Sequence, residues 1–235
     1  MPKRKVAPDI FSSTATEPPA LQSRDVPTPP ITIVDHPLVA TGLSVLRSKT
    51  TTPDLFRRHL QEIAIFLFAE ASREWKTAPI ELETPLASCP GEILAKPIVL
   101  VPILRAGLGM VDGILRVAPD AGIGHIGLYR DPETLRPVSY YDRLPVNVAS
   151  AEVLLLDPML ATGHSACEAA SILKAQGART IQFLCVLACP PGVAQLQSEH
   201  PDLPIITAAV DPELNNFGYI VPGLGDAGDR YFGTG

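Results

Sequence analysis

The chain has 235 residues, 46% of them hydrophobic and 19% charged, with a formal net charge of −6. This length can enclose a sizeable core, and the composition excludes global disorder. The acidic balance argues against a nucleic-acid partner, and no apolar run reaches the roughly 18 residues that a membrane span needs. Four cysteines without a Cys-x-x-Cys pair favour reduced thiols in a cytoplasmic protein over a disulfide or zinc framework.

Proline is concentrated at the start of the chain. It accounts for 25 residues in all, and seven of these lie before residue 31 among serine, threonine and charged residues. We therefore predict a flexible tail over residues 1–30, although this segment could instead clasp a partner subunit. Residues 31–235 are predicted to form a single domain.

The rest of the chain alternates between helical and strand-like patterns. Thr52-Pro53 has the residue types of a helix start, and apolar residues then recur at helical spacing up to Ala71. Short β-branched or leucine-rich runs predict buried strands. In chain order, the predicted helices are 38–49, 53–71, 108–117, 164–176 and 192–198, and the predicted strands are 98–101, 123–130, 153–156, 180–187 and 205–210. The polar segment 132–147 predicts a hairpin or excursion.

Strands that alternate with helices predict an α/β domain with a central, mainly parallel sheet. Ligands bind such sheets beyond the carboxyl ends of the strands. Two G-x-G-x-x-G matches, Gly122–Gly127 and Gly223–Gly228, lack the preceding strand and following helix that a dinucleotide site requires. We therefore expect no nicotinamide or flavin site.

The segment Val153–Ser165 has the strongest local signal. A hydrophobic strand ends at Asp157, and a short loop with Thr162 and Gly163 leads into a helix. Backbone N–H groups at a helix start, together with small hydroxyl side chains, form a phosphate cradle, and a carboxylate at the strand end can accept hydrogen bonds from sugar hydroxyls. An ordinary strand-to-helix turn capped by Asp and Thr explains the same pattern equally well.

Several segments together resemble the type I phosphoribosyltransferases, and in detail the uracil phosphoribosyltransferase family. Asp157-Pro-Met-Leu-Ala-Thr-Gly163 is similar to the family's motif for phosphoribosyl diphosphate (PRPP). Val101–Gly113 resembles its diphosphate loop, Leu128–Arg130 its second arginine site, residues 214–234 its uracil-recognition segment, and His36–Val39 its usual opening. The resemblance spans about residues 31–235. It implies a type I phosphoribosyltransferase-like fold, in which a central, mainly parallel sheet is flanked by helices, with a hairpin excursion and a C-terminal hood over the base.

The resemblance implies the reaction of uracil with PRPP to give UMP and diphosphate, a step of pyrimidine salvage. It implies that Arg105, Asp157 and Asp226 are catalytic. A guanidinium suits diphosphate oxygens, although a lone arginine is more often a plain surface charge. The implied PRPP contacts are Arg105, Arg130, Asp226 and the loop residues Asp157, Pro158, Met159, Leu160, Ala161, Thr162, Gly163, His164 and Ser165.

Uracil recognition is implied at Ile220, Gly225, Asp226 and Ala227. Uracil presents two carbonyl acceptors and an N–H donor, which backbone groups of Ile220 and Ala227 could pair. The prolines and glycines of Pro222–Gly228 predict a tight loop and not a helix, and a plain C-terminal turn without a ligand is the alternative. No direct metal ligand is predicted. Mg²⁺ would arrive with PRPP, and Asp226 could reach it through water.

One position departs from the family pattern. The usual uracil enzyme has a small residue, often glycine, where this sequence has His164. If the position needs positive φ, a non-glycine residue costs about 1–2 kcal/mol there. Alternatively, the imidazole adds a donor beside the phosphate, with a charge that changes near neutral pH. We hypothesise that His164 tunes PRPP affinity without abolishing it.

Two other functions remain open. A non-catalytic nucleotide sensor could use the same fold, and a related base could replace uracil. Members of the family form homodimers or larger homo-oligomers, and some are activated by GTP. The resemblance therefore adds a homo-oligomer and a GTP effector to the expected small-molecule partners, which are uracil, PRPP and UMP.

Overall fold

The computed structural model describes residues 31–130 and 137–235, so the predicted tail over residues 1–30 and part of the predicted excursion lie outside the described residues. The helices are α1 Pro37–Arg47, α2 Pro53–Ala71, α3 Leu108–Leu115, α4 His164–Ala175, α5 Pro190–Glu199 and α6 Ala227–Phe232. The strands are β1 Ile31–Ile33, β2 Thr77–Glu83, β3 Ser88–Leu94, β4 Ile98–Leu104, β5 Gly122–Ile123, β6 His125–Arg130, β7 Pro137–Arg143, β8 Glu152–Leu156, β9 Met159–Leu160, β10 Thr180–Ala188, β11 Ile205–Val210, β12 Glu213–Leu214 and β13 Ile220–Val221. No helix within the described ranges is long and apolar enough to cross a membrane.

A central sheet organises the chain. Its order is β1-β11-β10-β8-β4-β6-β7, with β5 beside β4 and β9 beside β10. Every pairing in it is parallel except that of β6 with β7, which is antiparallel. The prediction of a mainly parallel sheet is therefore confirmed. The strands β2 and β3 form a separate hairpin, and β12 pairs with β13.

Both faces of the sheet are buried. Along β4, Ile98 and Leu100 pack into one core, while Val99 and Val101 pack into the other. Residues of α1, α2, α3 and α6 contribute to the first core, and residues of α4 and α5 to the second. Burial on two sides explains why the strands read as continuous hydrophobic runs and not as alternating ones.

Several described elements were not predicted, namely the short strands β1, β9, β12 and β13, the hairpin of β2 and β3, and helix α6. The hairpin of β2 and β3 pairs Thr77 with Leu94 and Glu83 with Ser88. The prediction that Pro222–Gly228 contains no helix is wrong at its end, because α6 begins at Ala227. The Asp226 side chain caps α6 by accepting a hydrogen bond from the Asp229 backbone N–H at 2.8 Å. This cap satisfies one of the N–H groups that a helix start leaves free.

Candidate active site

Three neighbouring strands end at the same edge of the sheet. The order β8-β4-β6 is parallel throughout, so the carboxyl ends of these strands meet. Arg105 directly follows β4, Asp157 directly follows β8, and Arg130 is the last residue of β6. The topology thus brings together the backbone positions of three residues that the sequence pattern singled out. The side chain of Arg130 lies outside the described part of the structure.

The loop between β8 and α4 has the geometry expected of a phosphate cradle. Gly163 has a φ of 85° and precedes α4, whose first backbone N–H groups have no partner within the helix. Helix α5 packs directly against this loop, since a Cβ at Gly192 would lie 2.5 Å from the carbonyl oxygen of Ala161. Exposed N–H groups and the helix dipole favour an anion at this point.

His164 lies where the chain has ordinary helical geometry. It is the first residue of α4 and is exposed, and the positive φ of the loop falls on Gly163 instead. The strain considered for a histidine here is therefore absent. The interpretation that remains is the second, in which the exposed imidazole adds a hydrogen-bond donor beside the proposed phosphate site.

Asp157 is held at the strand end by its own loop. Its Oδ1 accepts a hydrogen bond from the Met159 backbone N–H at 3.2 Å. Desolvation by burial raises the pKa of Asp157 to about 7, the hydrogen bond from Met159 opposes this rise, and the negative charge of Asp226 adds to it. The side chain is half-buried, so a ligand can still reach it. This carboxyl group is poised between its neutral and ionised forms near physiological pH.

Arg105 is exposed and points to the C-terminal helix. Its Nη2 donates a hydrogen bond to Asp229 Oδ1 at 3.1 Å, and its guanidinium lies 5.6 Å from the centre of the Phe232 ring. The same Asp229 oxygen accepts a hydrogen bond from Thr234 at 2.7 Å. The bonds from Thr234 and Arg105 lower the pKa of Asp229. The peptide bond before Arg105 is cis.

Sequence reasoning missed Asp229. The available signal was its position three residues after Asp226 in Gly-Asp-Ala-Gly-Asp, which places Asp226 at the cap and Asp229 in the first turn of one short helix. The role of Asp229 toward Arg105, however, depends on a contact across 124 residues of sequence.

The segment predicted to bind the base, Ile220–Ala227, lies close to Arg105. Ile220 and Ala227 are buried, while Gly225 and Asp226 are exposed. A Cβ at Gly228 would lie 3.3 Å from Asp226 Oδ1 and 4.0 Å from Arg105 Nη2. Asp226 and Arg105 therefore both lie close to Gly228, and the negative charge of Asp226 contributes to the raised pKa of Asp157.

This sheet order, with helices on both faces, is the fold of the type I phosphoribosyltransferases. The fold is similar to that of adenine phosphoribosyl transferase from Trypanosoma brucei, with a TM-score of 0.51 and 14% identity over 77% of this chain and 82% of that one. It is also similar to the AQ2163 protein from Aquifex aeolicus, with a TM-score of 0.83 and 34% identity over 87% of this chain and 98% of that one.

The amino-acid sequence narrows the class to one family. A family model described as uracil phosphoribosyltransferase matches residues 33–234. Uracil phosphoribosyltransferase of Dictyoglomus thermophilum is 53% identical over 205 residues, which is 87% of this chain and 99% of that protein. The protein of the same name from Acidovorax ebreus is 52% identical over 203 residues, 86% of this chain and 97% of that protein. The chain belongs to the uracil phosphoribosyltransferase family.

Proposed function

We propose that this protein is a uracil phosphoribosyltransferase, which converts uracil and PRPP to UMP and diphosphate in pyrimidine salvage. The observation that carries this proposal is the meeting of the phosphate loop, Arg105 and the C-terminal loop at one sheet edge. The match of the family model to almost the whole domain supports it.

The phosphate loop and Arg105 bind the two ends of PRPP in this proposal. Residues Asp157–Ser165 surround the 5′-phosphate with N–H groups and hydroxyls, and ionised Asp157 accepts hydrogen bonds from the ribose hydroxyls. Arg105 binds the diphosphate oxygens, for which it must exchange its bond with Asp229. Arg130 is proposed as a second diphosphate contact because it ends the strand beside β4. The nearby arginine charges and helix dipoles then attract PRPP more strongly than the distant net charge of −6 repels it.

The C-terminal loop holds uracil. Backbone groups of Ile220 and Ala227 pair with the carbonyl and N–H edges of the base, and Gly225 and Asp226 frame it. This arrangement aims uracil N1 at the anomeric carbon of PRPP. Asp226 is the candidate for accepting the N1 proton, because it is exposed and lies near both Arg105 and Asp157.

Catalysis consists of orientation and electrostatic stabilisation. As diphosphate leaves, the anomeric carbon passes through a cationic, oxocarbenium-like state, which fixed partners on either side stabilise. No covalent enzyme intermediate is proposed. Magnesium, bound with PRPP, supplies neutralisation of the diphosphate charge. The exposed carboxylate of Asp226 fits this ion's preference for oxygen ligands and retained water.

The family likeness also motivates three proposals about the compartment, the assembly and an effector of the protein. We place the reaction in the cytoplasm, for which the free thiols of Cys89, Cys167, Cys185 and Cys189 provide support. We propose a homo-oligomer, since large apolar side chains such as Leu38 and Leu86 are exposed. GTP is proposed as an effector that raises activity.

The decisive experiment is UMP formation from uracil and PRPP with Mg²⁺, with and without GTP. We expect turnover with uracil and little with cytosine or hypoxanthine. Turnover with another pyrimidine alone would assign the enzyme to that base. UMP binding without turnover under either condition would replace the enzyme with a nucleotide sensor.

Arg105→Ala and Asp157→Ala test the site within the same assay. Each removes a partner of PRPP, and we expect each to lower the rate of UMP formation at least about 10-fold, which corresponds to about 1.4 kcal/mol of barrier. Lys174→Gln is the control, since Lys174 pairs with Asp202 at 2.6 Å on an exposed surface of α4. Wild-type rates in both alanine variants would refute the site assignment.

A further inference from the structure

The loop that we propose to hold uracil, Ile220–Ala227, is hydrogen-bonded to an ion pair that has no part in the proposed catalysis. Arg47, the last residue of α1, donates from Nη2 to Asp211 Oδ1 at 2.6 Å and from Nη1 to Asp211 Oδ2 at 2.7 Å. Asp211 directly follows β11, and only 5% of it is exposed. Such a two-pronged pair has a fixed orientation as well as a strong attraction.

Both partners of this pair also bind the same loop residue. Arg47 Nη1 donates to the carbonyl oxygen of Gly223 at 2.9 Å, and the Gly223 backbone N–H donates to Asp211 Oδ2 at 2.8 Å. Gly223 is buried and has a φ of 61°. The pair thus satisfies both polar backbone groups of a residue that lies midway between Ile220 and Ala227.

A second arginine attaches the next residue to the same support. Arg230 of α6 donates to the carbonyl oxygen of Leu224 at 2.7 Å and to that of Ser48 at 2.6 Å, and it also donates to the carbonyl oxygen of Leu46. The loop is therefore bound at two successive residues to the C-terminal end of α1. A tight loop held at both residues cannot change its backbone direction independently of α1.

We propose that Arg47 and Asp211 are positioning residues for base recognition, which set the orientation of the uracil loop through Gly223. This inference rests on the proposed function, because it takes Ile220–Ala227 to be the base site. Neither residue is proposed to contact substrate. The consequence is specific: loss of the pair should weaken binding of the base and leave binding of the ribose phosphate unchanged.

The state of Asp211 agrees with this arrangement. The hydrogen bonds from Arg47 lower the pKa of Asp211, and burial acts in the opposite direction. Asp211 is thus an anion over the physiological range. The polar groups that face it are those of Arg47 and Gly223, with the Asp211 backbone N–H donating to Ala188 at 2.9 Å.

Calorimetric titration with UMP and with ribose 5-phosphate separates base recognition from phosphate binding. For Arg47→Gln we expect the Kd for UMP to rise about 10-fold, equivalent to about 1.4 kcal/mol, while the Kd for ribose 5-phosphate stays within about 2-fold. Arg47→Lys keeps the charge but not the two-pronged geometry, so it should recover part of the loss. Lys174→Gln should match the wild type for both ligands. Asp211→Asn should behave as Arg47→Gln does.

The outcomes divide cleanly. Equal weakening of both ligands, or no change in either, would overturn the positioning role. If Arg47→Gln does not fold, the comparison of Arg47→Lys with the wild type decides the question, with retained ribose 5-phosphate binding as its check of folding. A wild type that binds UMP more tightly than ribose 5-phosphate but forms no UMP would defeat the proposed enzyme, while the variants would still test the pair. A wild type that binds UMP and ribose 5-phosphate equally would overturn both the proposed enzyme and the proposed positioning role.

Discussion

Asp157 meets two opposed requirements. In the proposed reaction it must be an anion to hold the ribose hydroxyls, yet burial favours its neutral form and raises its pKa to about 7. In an unfolded chain the pKa of an aspartate is about 3.9. Between these two values the folded protein binds the extra proton, so the stability contributed by neutral Asp157 is lost as the pH rises toward 7.

Asp157→Asn should therefore change how stability depends on pH. The amide stays neutral, so the free energy of unfolding of the variant relative to wild type should increase by about 1–2 kcal/mol between pH 5 and pH 8, a figure reduced for the partial solvent access of the site. Urea unfolding at four pH values measures this. Asp202→Asn, which alters an exposed residue, serves as the control. Parallel curves for wild type and Asp157→Asn would contradict the raised pKa.

His164 gives a second test at the level of one side chain. The imidazole adds a hydrogen-bond donor at the start of α4, so His164→Gly should raise the KM for PRPP by about 2- to 5-fold without abolishing activity. Equal KM values in the two proteins would mean that His164 does not tune PRPP affinity.

At the scale of elements, α5 packs closely against the proposed phosphate loop. Gly192 lies so close to the loop that a Cβ would fall 2.5 Å from the Ala161 carbonyl oxygen and 2.7 Å from that of Leu160. Gly192→Ala must push α5 and the loop apart. We expect a loss of about 1–3 kcal/mol in stability together with a higher KM for PRPP.

Gly42→Ala is the matched control for this change. A Cβ there would lie 3.4 Å from Ile63, an ordinary contact, within a regular helix. Alanine is the better helix former, so this variant should be as stable as the wild type or more so, with PRPP binding unchanged. If both variants behaved alike, contact between α5 and the loop would not be the cause.

Sequence periodicity identified the elements that bury an apolar stripe or a continuous run. Helix α2 and the strands β8 and β11 were predicted within a residue or two, because their apolar residues face a core. The hairpin Thr77–Leu94 was missed, since it pairs only with itself and mixes prolines and glutamates into the run. Helix α6 was missed because Gly-Asp-Ala-Gly has poor helix propensity. In the structure the Asp226 side chain caps this helix, and Arg230 within it bonds to the carbonyl oxygen of Leu224.

The site divides in the same way. Arg105 and Asp157 lie next to buried strands, so local pattern and family likeness were enough to propose them. The pair of Arg47 with Asp211 spans 164 residues of sequence and joins two elements with no motif in common. Only the assembled sheet and helices bring such residues together, so no local signal could have predicted it.

At the scale of the whole molecule, the hairpin of β2 and β3 contributes no side chain to either of the two cores formed by the described residues. The hairpin of β2 and β3 exposes the large apolar side chains of Ile80, Leu82, Leu86, Ile93 and Leu94. An isolated two-stranded hairpin is marginal in water, and an exposed apolar patch indicates a contact surface. We therefore expect light scattering to give a mass of at least two chains.

Leu86→Asp combined with Ile93→Asp should lower that mass toward one chain, because each aspartate would have to be desolvated in an interface. Val146→Asp changes an exposed apolar residue outside the hairpin and should leave the mass unaltered. A wild type that runs as a monomer at micromolar concentration would remove the basis for this expectation.

The order of the parts of the proposed site along the chain has a consequence during synthesis. The central sheet, the proposed phosphate loop and Asp211 all precede residue 212, whereas Gly223, the cap at Asp226 and the anchoring Arg230 follow it. A chain interrupted after Asp211 would contain the parts proposed to surround a sugar phosphate and lack those proposed to recognise a base. Translation therefore supplies the proposed base specificity only after the proposed phosphate site and Asp211 have been made.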